Sequence, residues 1–365
     1  MRVAVVTESF LPQVNGVTNS VLRVCEQFAR RGIDAMVIAP GPGPTEWCGF
    51  PVVRTPSVPL PGYRDFRLAR PYAGMRTLLR EFDPDLVHLA SPAVLGAQAA
   101  VAARKLDIPV VAVYQTDLAG FARRYHLGMT EDAIWRWLRS IHGSAARTLA
   151  PSSAAMQQLQ SVGVERVRRW RRGVDLDKFN PRHRDAIWRH RHAREGELVV
   201  GYVGRLAHEK QVSLLGSLHD VPGVKVVVAG DGPARRQLER QLPNVHFLGF
   251  QNGPELARTF ASLDLFVHTG PHETFCQAAQ EALASGVPVI APSAGGLLDL
   301  VEPGRTGYFF APGSALELAD CVRELTSDSA LRCAMSGNAR RSVEGRSWNV
   351  VGGQLVRHYK EVLAA

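Results

Sequence analysis

The sequence predicts an α/β protein made of two doubly wound domains with parallel sheets. Short, continuous apolar segments alternate with longer amphipathic segments along almost the whole chain. Such alternation is expected when a parallel sheet is covered by helices on both faces. The alternation restarts near residue 198, after a basic, proline-containing segment at 181–197 that we interpret as a linker. The length of 365 residues also suits two domains, since a domain takes about 150 residues.

The first half of the chain contains the strands and helices of one predicted domain, residues 1–182. Its predicted strands are VAVV, DAMVIA, DLVHLA, PVVAVY and RTLAPS, and its clearest helices are TNSVLRVCEQFARRG and TEDAIWRWLRSIHGSAA. The second domain is predicted over residues 198–348. Its strands are LVVGYVG, VKVVVAG, VHFLG, LDLFVHT and VPVIAP. The final segment, SWNVVGGQLVRHYKEVLAA, is a helix without a following strand, so we expect residues 349–365 to pack back on the first domain.

The composition is that of a globular protein, with 45% hydrophobic and 21% charged residues. The opening MRVAVVTESF has an apolar run of four residues, too short for the apolar region of a signal peptide. No segment reaches the roughly eighteen apolar residues of a spanning helix. The cysteines are odd in number, scattered and without a CxxC, which predicts reduced thiols in a cytoplasmic protein.

The net charge of +9 is concentrated in one region, where ten arginines lie between Arg166 and Arg194. Such a region indicates a phosphate-bearing partner (nucleic acid, an anionic membrane or a nucleotide) or simply a solvated surface. Nucleic acid is not expected, because there is no zinc-finger spacing, no RNP-like run and no heptad repeat. The histidines of this region lie among arginines, a poor environment for a metal cation.

The loop after the first strand, TESFLPQVNGVTNS, lacks the G-x-G-x-x-G of dinucleotide-binding proteins, and the chain has no G-x-x-x-x-G-K-[ST]. An oxidoreductase and a P-loop ATPase are therefore disfavoured. The loop does place Gly16 just before a predicted helix cap at Thr18. A glycine there permits close approach of the backbone to an anion, although a turn glycine without a ligand fits as well.

The loop after the first strand of the second domain contains two cations, Arg205 and Lys210, in GYVGRLAHEK. At the carboxyl end of a parallel strand, they suit a diphosphate. The alternative is that Arg205 forms a surface ion pair with Glu209. Further along, FLGFQNGPEL ends another strand and places the backbone groups of Phe250 and Gln251 where a nucleotide base could be bound.

The segment HETFCQAAQEALASGVPVI contains two glutamates, Glu273 and Glu281. Thr274, followed three residues later by glutamine, predicts a helix with Thr274 as its cap, and Gly286 predicts its end. The two carboxylates then lie about 10 Å apart along the helix axis. They suit opposite ends of one elongated ligand, unless Glu273 only complements the helix dipole and Glu281 faces solvent.

These motifs, in this order, resemble the retaining glycosyltransferases of family 4. The likeness is carried by Gly16, GRLAHEK, AGDGP and HETFCQAAQEALASGVPVIAPSAGG. The resemblance implies the GT-B architecture, in which two Rossmann-like domains face each other across a cleft. A closer similarity, to the actinobacterial GDP-mannose-dependent α-mannosyltransferases that extend glycosyl diacylglycerols, is carried by ESFLPQVNGVTNSVLRV, PDLVHLASPAVLGA, VAVYQTDLAGFA, RGVDLDKF and HETFCQ. Sulfoquinovosyl diacylglycerol synthases are more distantly similar.

The resemblance implies a role for each matching position. Arg205 and Lys210 would bind the donor diphosphate, and Gly16 would bring the backbone of the acceptor-binding first domain against the same phosphates. Glu273 would contact the donor hexose and Glu281 the ribose. The donor site would be completed by the amides of Phe275, Cys276 and Gln277 and by Phe250.

Asp117 follows the strand PVVAVY in YQTD, where many family members have a histidine and the closer subfamily does not. The resemblance implies that Asp117 contacts the donor sugar or the acceptor hydroxyl near the anomeric carbon; alternatively it only orders its loop. Catalysis is expected from Glu273, Asp117, Arg205 and Lys210. Asp175 and Asp177 match D-x-D by count but lie in a turn-like segment, so no metal and no cofactor is expected.

The predicted reaction moves a hexose, mannose from GDP-mannose in the first instance, onto a hydroxyl of a glycolipid or related acceptor. The alternatives are a UDP-sugar-dependent transferase of the glucose or sulfoquinovose type and a two-lobed nucleotide- or sugar-binding protein without catalysis. The segment PGYRDFRLARPYAGMRTLLREF interleaves Arg64, Arg67 and Arg70 with apolar residues. It predicts contact with an anionic membrane at the inner face of the plasma membrane, or else an amphipathic helix under a polar loop.

Overall fold

The chain folds into two compact units in a computed structural model that describes residues 1–60, 63–117, 120 and 131–365. Unit 1 comprises Met1–Gly173 together with Trp348–Ala365, and unit 2 comprises Val174–Ser347. Unit 1 therefore ends earlier than the predicted limit at residue 182, and the predicted linker at 181–197 lies inside unit 2. The last helix of the chain belongs to unit 1.

Unit 1 is built on an eight-stranded sheet with the order β10-β9-β8-β7-β1-β2-β4-β3. Its strands are β1 (Arg2–Thr7), β2 (Asp34–Pro40), β3 (Glu46–Trp47), β4 (Phe50–Thr55), β7 (Leu86–Ala90), β8 (Val110–Val113), β9 (Arg147–Ala150) and β10 (Val167–Arg169). All neighbours pair in parallel except β3 and β4. A separate antiparallel pair is formed by β5 (Ser57–Leu60) and β6 (Tyr63–Ala69).

The sheet of unit 1 is covered on both faces. Alternate residues of β1 pack into different hydrophobic cores. Val3 and Val5 belong to the core on one face of the sheet, and Ala4 and Val6 belong to the core on the other. The described helices of this unit are α1 (Gly16–Arg30), α2 (Met75–Phe82), α3 (Val94–Arg104), α4 (Glu131–Ser144), α5 (Ser153–Ser161) and the final helix α12 (Trp348–Leu363). The indole of Trp170 donates a hydrogen bond to the Val351 carbonyl of α12 (3.0 Å), which fixes that helix to the sheet.

Unit 2 contains a six-stranded, fully parallel sheet with the order β13-β12-β11-β14-β15-β16. Its strands are β11 (Leu198–Val203), β12 (Val224–Ala229), β13 (His246–Gly249), β14 (Leu265–Val267), β15 (Val289–Pro292) and β16 (Gly307–Phe310). Its α-helices are α6 (Ala186–His192), α7 (Arg235–Gln241), α8 (Gly253–Ser262), α9 (Gln277–Ala284), α10 (Ala315–Ser327) and α11 (Ser329–Val343). Short 3₁₀ helices cover Pro181–His183, His208–Lys210, Val212–Leu218, Gly295–Asp299 and Glu344–Arg346.

The arginine-rich segment before β11 is part of the fold of unit 2, so its interpretation as a linker is wrong. The Asp264 carboxylate accepts Arg184 Nη2 at 2.6 Å and Arg189 Nη1 at 2.8 Å. Trp188, between these arginines, is buried. The two ion pairs of Asp264 and the buried ring of Trp188 therefore fix the segment that contains α6 to the rest of unit 2.

Each parallel sheet has one place where the strand order reverses. In unit 1, β1 lies between β2 and β7; in unit 2, β11 lies between β12 and β14. Loops that leave the carboxyl ends of neighbouring strands diverge at such a point and open a crevice where ligands bind in open α/β sheets. The loops after β1 and β7, and those after β11 and β14, are therefore where a site is expected.

Candidate functional site

The loops after β11 and β14 bring Lys210, Glu273 and His268 together. Lys210 Nζ contacts Glu273 Oε1, and His268 Nε2 lies 3.0 Å from the same oxygen. The hydroxyl of Thr269 donates to the Lys210 carbonyl (2.6 Å), which ties the two loops to each other. Two predicted site residues, 63 positions apart in sequence, thus meet at the reversal point of the second sheet.

The Glu273 carboxylate stabilises the charges of Lys210 and His268, and both cations stabilise the charge of Glu273. Burial opposes ionisation of Glu273, but Lys210 and His268 outweigh it and hold the pKa of the carboxyl well below its usual range. Burial also acts against the charge of Lys210, yet Glu273 raises the pKa of the ammonium. The imidazole of His268 would lose basicity on burial, but Cys276 and Glu273 raise its pKa to about 9. Lys210, His268 and Glu273 are therefore all charged at neutral pH.

Arg205 follows β11, as predicted, and makes the ion pair that was considered as the alternative to ligand binding. Its Nη2 contacts Glu209 Oε1. The charge of the guanidinium opposes the rise in the pKa of Lys210 that Glu273 causes. The buried hydroxyl of Tyr202 donates to the Arg205 carbonyl (3.1 Å) and holds the loop in place. Pairing with Glu209 and binding a diphosphate are compatible, since the fork of arginine offers five N–H donors.

The segment after Glu273 forms a tight turn, and the predicted helix cap at Thr274 is wrong. Helix α9 begins at Gln277, with Cys276 as its cap at a positive φ of 77°. The Gly296 amide donates to the Glu273 carbonyl (2.7 Å), and a Cβ on Gly296 would lie 2.5 Å from the Phe275 Cα. The helix begins later than predicted because the turn packs against Gly296. The spacing of residues within the segment 272–290 does not reveal this contact.

The remaining predicted donor residues lie along the same elements. Phe275 and Cys276 are buried in the turn, and Gln277 is the first residue of α9. Glu281 lies one turn further along α9 and is half-buried. Phe250 directly follows β13 with 61% of its surface exposed. Their contacts with a donor remain predictions.

In unit 1, Gly16 is the first residue of α1, and the cap is Asn15 rather than the predicted Thr18. Asn15 Oδ1 accepts the amides of Val17 and Thr18, both at 3.0 Å. The Gly16 carbonyl accepts Arg172 Nη2 at 2.6 Å. Burial lowers the pKa of the Arg172 guanidinium to about 10. Gly16 is thus held by a buried cation next to a helix N-terminus.

Two further carboxylates lie in the loops at the carboxyl end of the first sheet. Asp117 Oδ1 accepts the Gly120 amide (2.9 Å), as expected if it orders its loop. Glu8, which the sequence did not single out, is buried directly after β1. Its Oε1 accepts the amides of Ala93 and Gly96, each at 2.8 Å, at the start of α3. Burial outweighs these hydrogen bonds and raises the pKa of Glu8 to about 7.

The structure shows the surroundings of Asp175 and Asp177, the two residues that match D-x-D by count. Asp175 Oδ1 accepts the Lys178 amide at 3.0 Å, and Asp177 is 95% exposed. Within the part of the chain that the structure describes, three potential metal ligands do approach one another: a nitrogen of His268, a carboxylate oxygen of Glu273 and the sulfur of Cys276.

Comparison with known proteins identifies the family. A model described as Glycosyltransferase Family 4 matches residues 14–178, and one described as Glycosyl transferases group 1 matches residues 184–342. A GDP-mannose-dependent alpha-mannosyltransferase of Mycobacterium tuberculosis is 49% identical over 99% of this chain and 97% of its own length. The chain is a family 4 glycosyltransferase. An enzyme of the same description from Corynebacterium glutamicum is 45% identical over 100% of this chain and 90% of its own length.

Solved structures support the fold of this glycosyltransferase. HepE from Anabaena, crystallised with UDP, superposes with a TM-score of 0.83 over 99% of this chain and 100% of its own, at 21% identity. Sucrose-phosphate synthase from Thermosynechococcus elongatus superposes with a TM-score of 0.81 over 100% of this chain and 99% of its own, at 19% identity. The predicted GT-B class, with two parallel-sheet α/β domains, is confirmed.

For the glycosyltransferase, loop position predicted Lys210 and Glu273, whereas His268 was missed. His268 stands at the end of the apolar run LDLFVHT, where a lone histidine looks like part of the strand. A signal was nevertheless present, because a polar residue at the carboxyl end of a buried parallel strand lies where ligands bind.

Proposed function

We propose that this glycosyltransferase moves mannose from GDP-mannose onto a hydroxyl of a glycolipid or related acceptor, with retention at the anomeric carbon. The observation that carries the proposal is the Lys210–Glu273 pair at the reversal point of the second sheet. Relatives at 45% and 49% identity are described as GDP-mannose-dependent alpha-mannosyltransferases and support the choice of donor.

In the proposed mechanism, Lys210 and Arg205 bind the diphosphate and stabilise the charge that develops on it as it leaves. Glu273 binds hexose hydroxyls, Glu281 the ribose, and Asp117 contacts the sugar or acceptor near the anomeric carbon. The bond from that carbon to the diphosphate breaks while the acceptor oxygen attacks on the same face. The acceptor proton passes to the leaving phosphate, so this scheme needs neither a protein nucleophile nor a metal.

The proposal is tested by measuring GDP-mannose turnover with membrane-lipid extracts as acceptors. Lys210→Ala and Glu273→Gln should each lower kcat/KM by about 10²-fold or more, because each removes a charge that acts on the transition state. Lys225→Ala and Glu302→Gln are matched controls in unit 2, since the Lys225 ammonium donates to the Asn244 carbonyl and the Glu302 carboxylate accepts from Arg305, away from Lys210 and Glu273. Unchanged turnover in Glu273→Gln would contradict the assignment.

A UDP-sugar is the second candidate donor. A sulfoquinovosyl transferase of Arabidopsis thaliana is 32% identical over 95% of this chain and 71% of its own length. A thermal-shift and hydrolysis panel of nucleotide sugars separates the two donors, because the stabilisation by each depends on its affinity. Binding of a nucleotide sugar without turnover by any acceptor extract would instead favour the binding-protein alternative.

We further propose that the enzyme works against an anionic membrane on its cytoplasmic side. No helix among the described residues is long and apolar enough to cross a bilayer, so contact would be peripheral. The segment we consider forms β6 and α2; Arg70 between them is exposed, and α2 buries Met75 and Leu79, as in an ordinary amphipathic helix. The side chains of Arg64, Phe66 and Leu68 lie outside the described residues.

Flotation with liposomes tests this contact. Binding is expected to anionic vesicles at low salt and to be lost with purely zwitterionic vesicles, because each arginine near the surface contributes about 1 kcal/mol. Failure to float with anionic vesicles at low salt would eliminate the membrane contact without affecting the proposed transfer reaction.

A further inference from the structure

The turn between β14 and α9 brings three different metal-ligating groups together. A ring nitrogen of His268, a carboxylate oxygen of Glu273 and the sulfur of Cys276 all lie within 4.8 Å of one another. The side chains of His268 and Glu273 are only 4% and 17% exposed, and Cys276 is buried. All three groups come from one short segment, residues 268–276.

The chemistry of the three groups selects the kind of ion. Imidazole, thiolate and carboxylate are the ligands of Zn²⁺, which binds three protein groups and leaves a fourth position open in non-structural sites. Mg²⁺ demands six oxygen ligands and does not suit sulfur and nitrogen. Ligands in a tetrahedral zinc site lie roughly 3.5 Å apart, so small side-chain rotations would close the present spacing.

The hydrogen bonding of His268 leaves it able to bind an ion. Among the residues that the structure describes, neither ring nitrogen makes a hydrogen bond of good geometry, although Nε2 is 3.0 Å from Glu273 Oε1. The ring of Tyr202 lies nearly parallel to that of His268, with centroids 6.0 Å apart at 15°, and fixes its plane. A buried imidazole whose nitrogens make no well-directed hydrogen bond calls for an explanation, and a bond from one nitrogen to an ion supplies it.

We propose that His268, Glu273 and Cys276 form an inhibitory site for a thiophilic divalent cation, with Zn²⁺ as the ion that fits. On binding, the Cys276 thiol and the His268 ring release their protons to solvent, and sulfur, nitrogen and carboxylate oxygen each form a bond to the ion. Glu273 then no longer serves the donor hexose, and the ion's charge lies beside Lys210. The inhibition rests on the proposed function; the binding of the ion does not.

Cobalt absorption tests the site itself. Co²⁺ replaces Zn²⁺ in such sites, and a cobalt–thiolate bond gives an intense charge-transfer band in the near ultraviolet. The band is expected at one Co²⁺ per chain in the wild-type enzyme and in Cys333→Ser, which removes an exposed thiol. It should disappear in Cys276→Gly, a variant chosen because glycine suits the positive φ at this position. No band in the wild-type enzyme, or an unchanged band in Cys276→Gly, would overturn the proposal.

Inhibition provides the second readout. For each variant, GDP-mannose turnover with Zn²⁺ is divided by its own turnover without it, and a chelator should restore activity. Loss of a partner of a metal ligand typically weakens metal binding by about 10–100-fold, and loss of a ligand itself should cost at least as much. Cys276→Gly and His268→Gln should therefore require at least about tenfold more Zn²⁺. Cys333→Ser should respond like the wild-type enzyme. Equal inhibition of all variants would show that the inhibitory ion binds elsewhere. If the protein has no transfer activity, the proposed function fails, but the cobalt band should still appear.

Discussion

At the residue scale, the buried carboxyl of Glu8 makes the stability of unit 1 depend on pH. Its pKa is raised by burial from 4.5 to about 7. Between these values the folded state keeps a proton that the unfolded chain loses, so stability falls as pH rises through this window. Glu8→Gln removes the ionisation while its oxygen can still accept the amides of Ala93 and Gly96. Relative to wild type, its free energy of unfolding should increase by roughly 2–3 kcal/mol between about pH 5 and pH 8.

Denaturant unfolding at the two pH values measures this difference. Glu46→Gln is the matched control, because Glu46 is exposed on β3 of the same unit and should show no comparable change. An advantage of Glu8→Gln that is the same at both pH values would mean that Glu8 remains neutral, or remains charged, throughout.

The sequence predicted some residues of the site but not others. Lys210 and Glu273 were predicted because each follows a strand, and parallel strands end at the same edge of a sheet. The contact of His268 with Glu273 and the positive φ of Cys276 were not, because both depend on how the chain turns after β14. Such geometry is set by packing against Gly295 and Gly296, 22 residues and more beyond Glu273 in the chain.

At the element scale, the 3₁₀ helix Gly295–Asp299 supports the turn that presents Glu273. Gly296 donates its amide to the Glu273 carbonyl, and an added Cβ would lie 2.5 Å from both the Phe275 Cα and the Thr274 carbonyl. Gly296→Ala must therefore push the backbone of the turn. We expect kcat/KM to fall by at least tenfold, since a displacement of about 1 Å at a site can cost about 10²-fold.

Steady-state kinetics on Gly296→Ala should be paired with Gly345→Ala. Gly345 lies in another 3₁₀ helix of unit 2, where an added Cβ meets nothing within 4 Å. The control should keep wild-type turnover and melting temperature. If Gly296→Ala melts like the wild type and retains full activity, the glycine loop does not position Glu273.

Helices and strands were predicted best where apolar runs were long. They were predicted least well where contacts with distant residues determine the local backbone conformation. The β1 and β11 runs are buried on both faces and were evident from continuous hydrophobicity. Strands β3 to β6 were missed: β3 pairs antiparallel with β4 and β5 with β6, and both β4 and β5 contain a proline, which argues against a strand in the sequence. Lys210 ends the short 3₁₀ helix His208–Lys210, which was not predicted from the sequence. Local propensity does not determine how tightly a short loop winds.

At the scale of the whole molecule, unit 1 contains buried groups whose protonation acts in opposite directions. Burial lowers the pKa of His88 to about 3 and of His142 to about 4. Each histidine stays neutral in the folded unit, while the unfolded chain takes up a proton below about 6.5. The unfolded state then binds more protons, so stability is lost as pH falls below 6.5. Glu8 acts in the opposite sense between 4.5 and about 7.

Acid should therefore loosen unit 1 through its histidines. His88 lies on β7, and His142 Nδ1 is 3.2 Å from Thr148 Oγ1 on β9. At about pH 4.5 each histidine is two units below its unfolded pKa, which costs about 2–3 kcal/mol. Hydrogen exchange, corrected for the intrinsic effect of pH, should show β7 and β9 losing protection between about pH 6.5 and 4.5. His142→Gln, whose amide can still reach Thr148, should reduce that loss, and His190→Gln at an exposed position should leave it unchanged. An equal loss in His142→Gln and the wild type would show that burial of this histidine is not what makes unit 1 sensitive to acid.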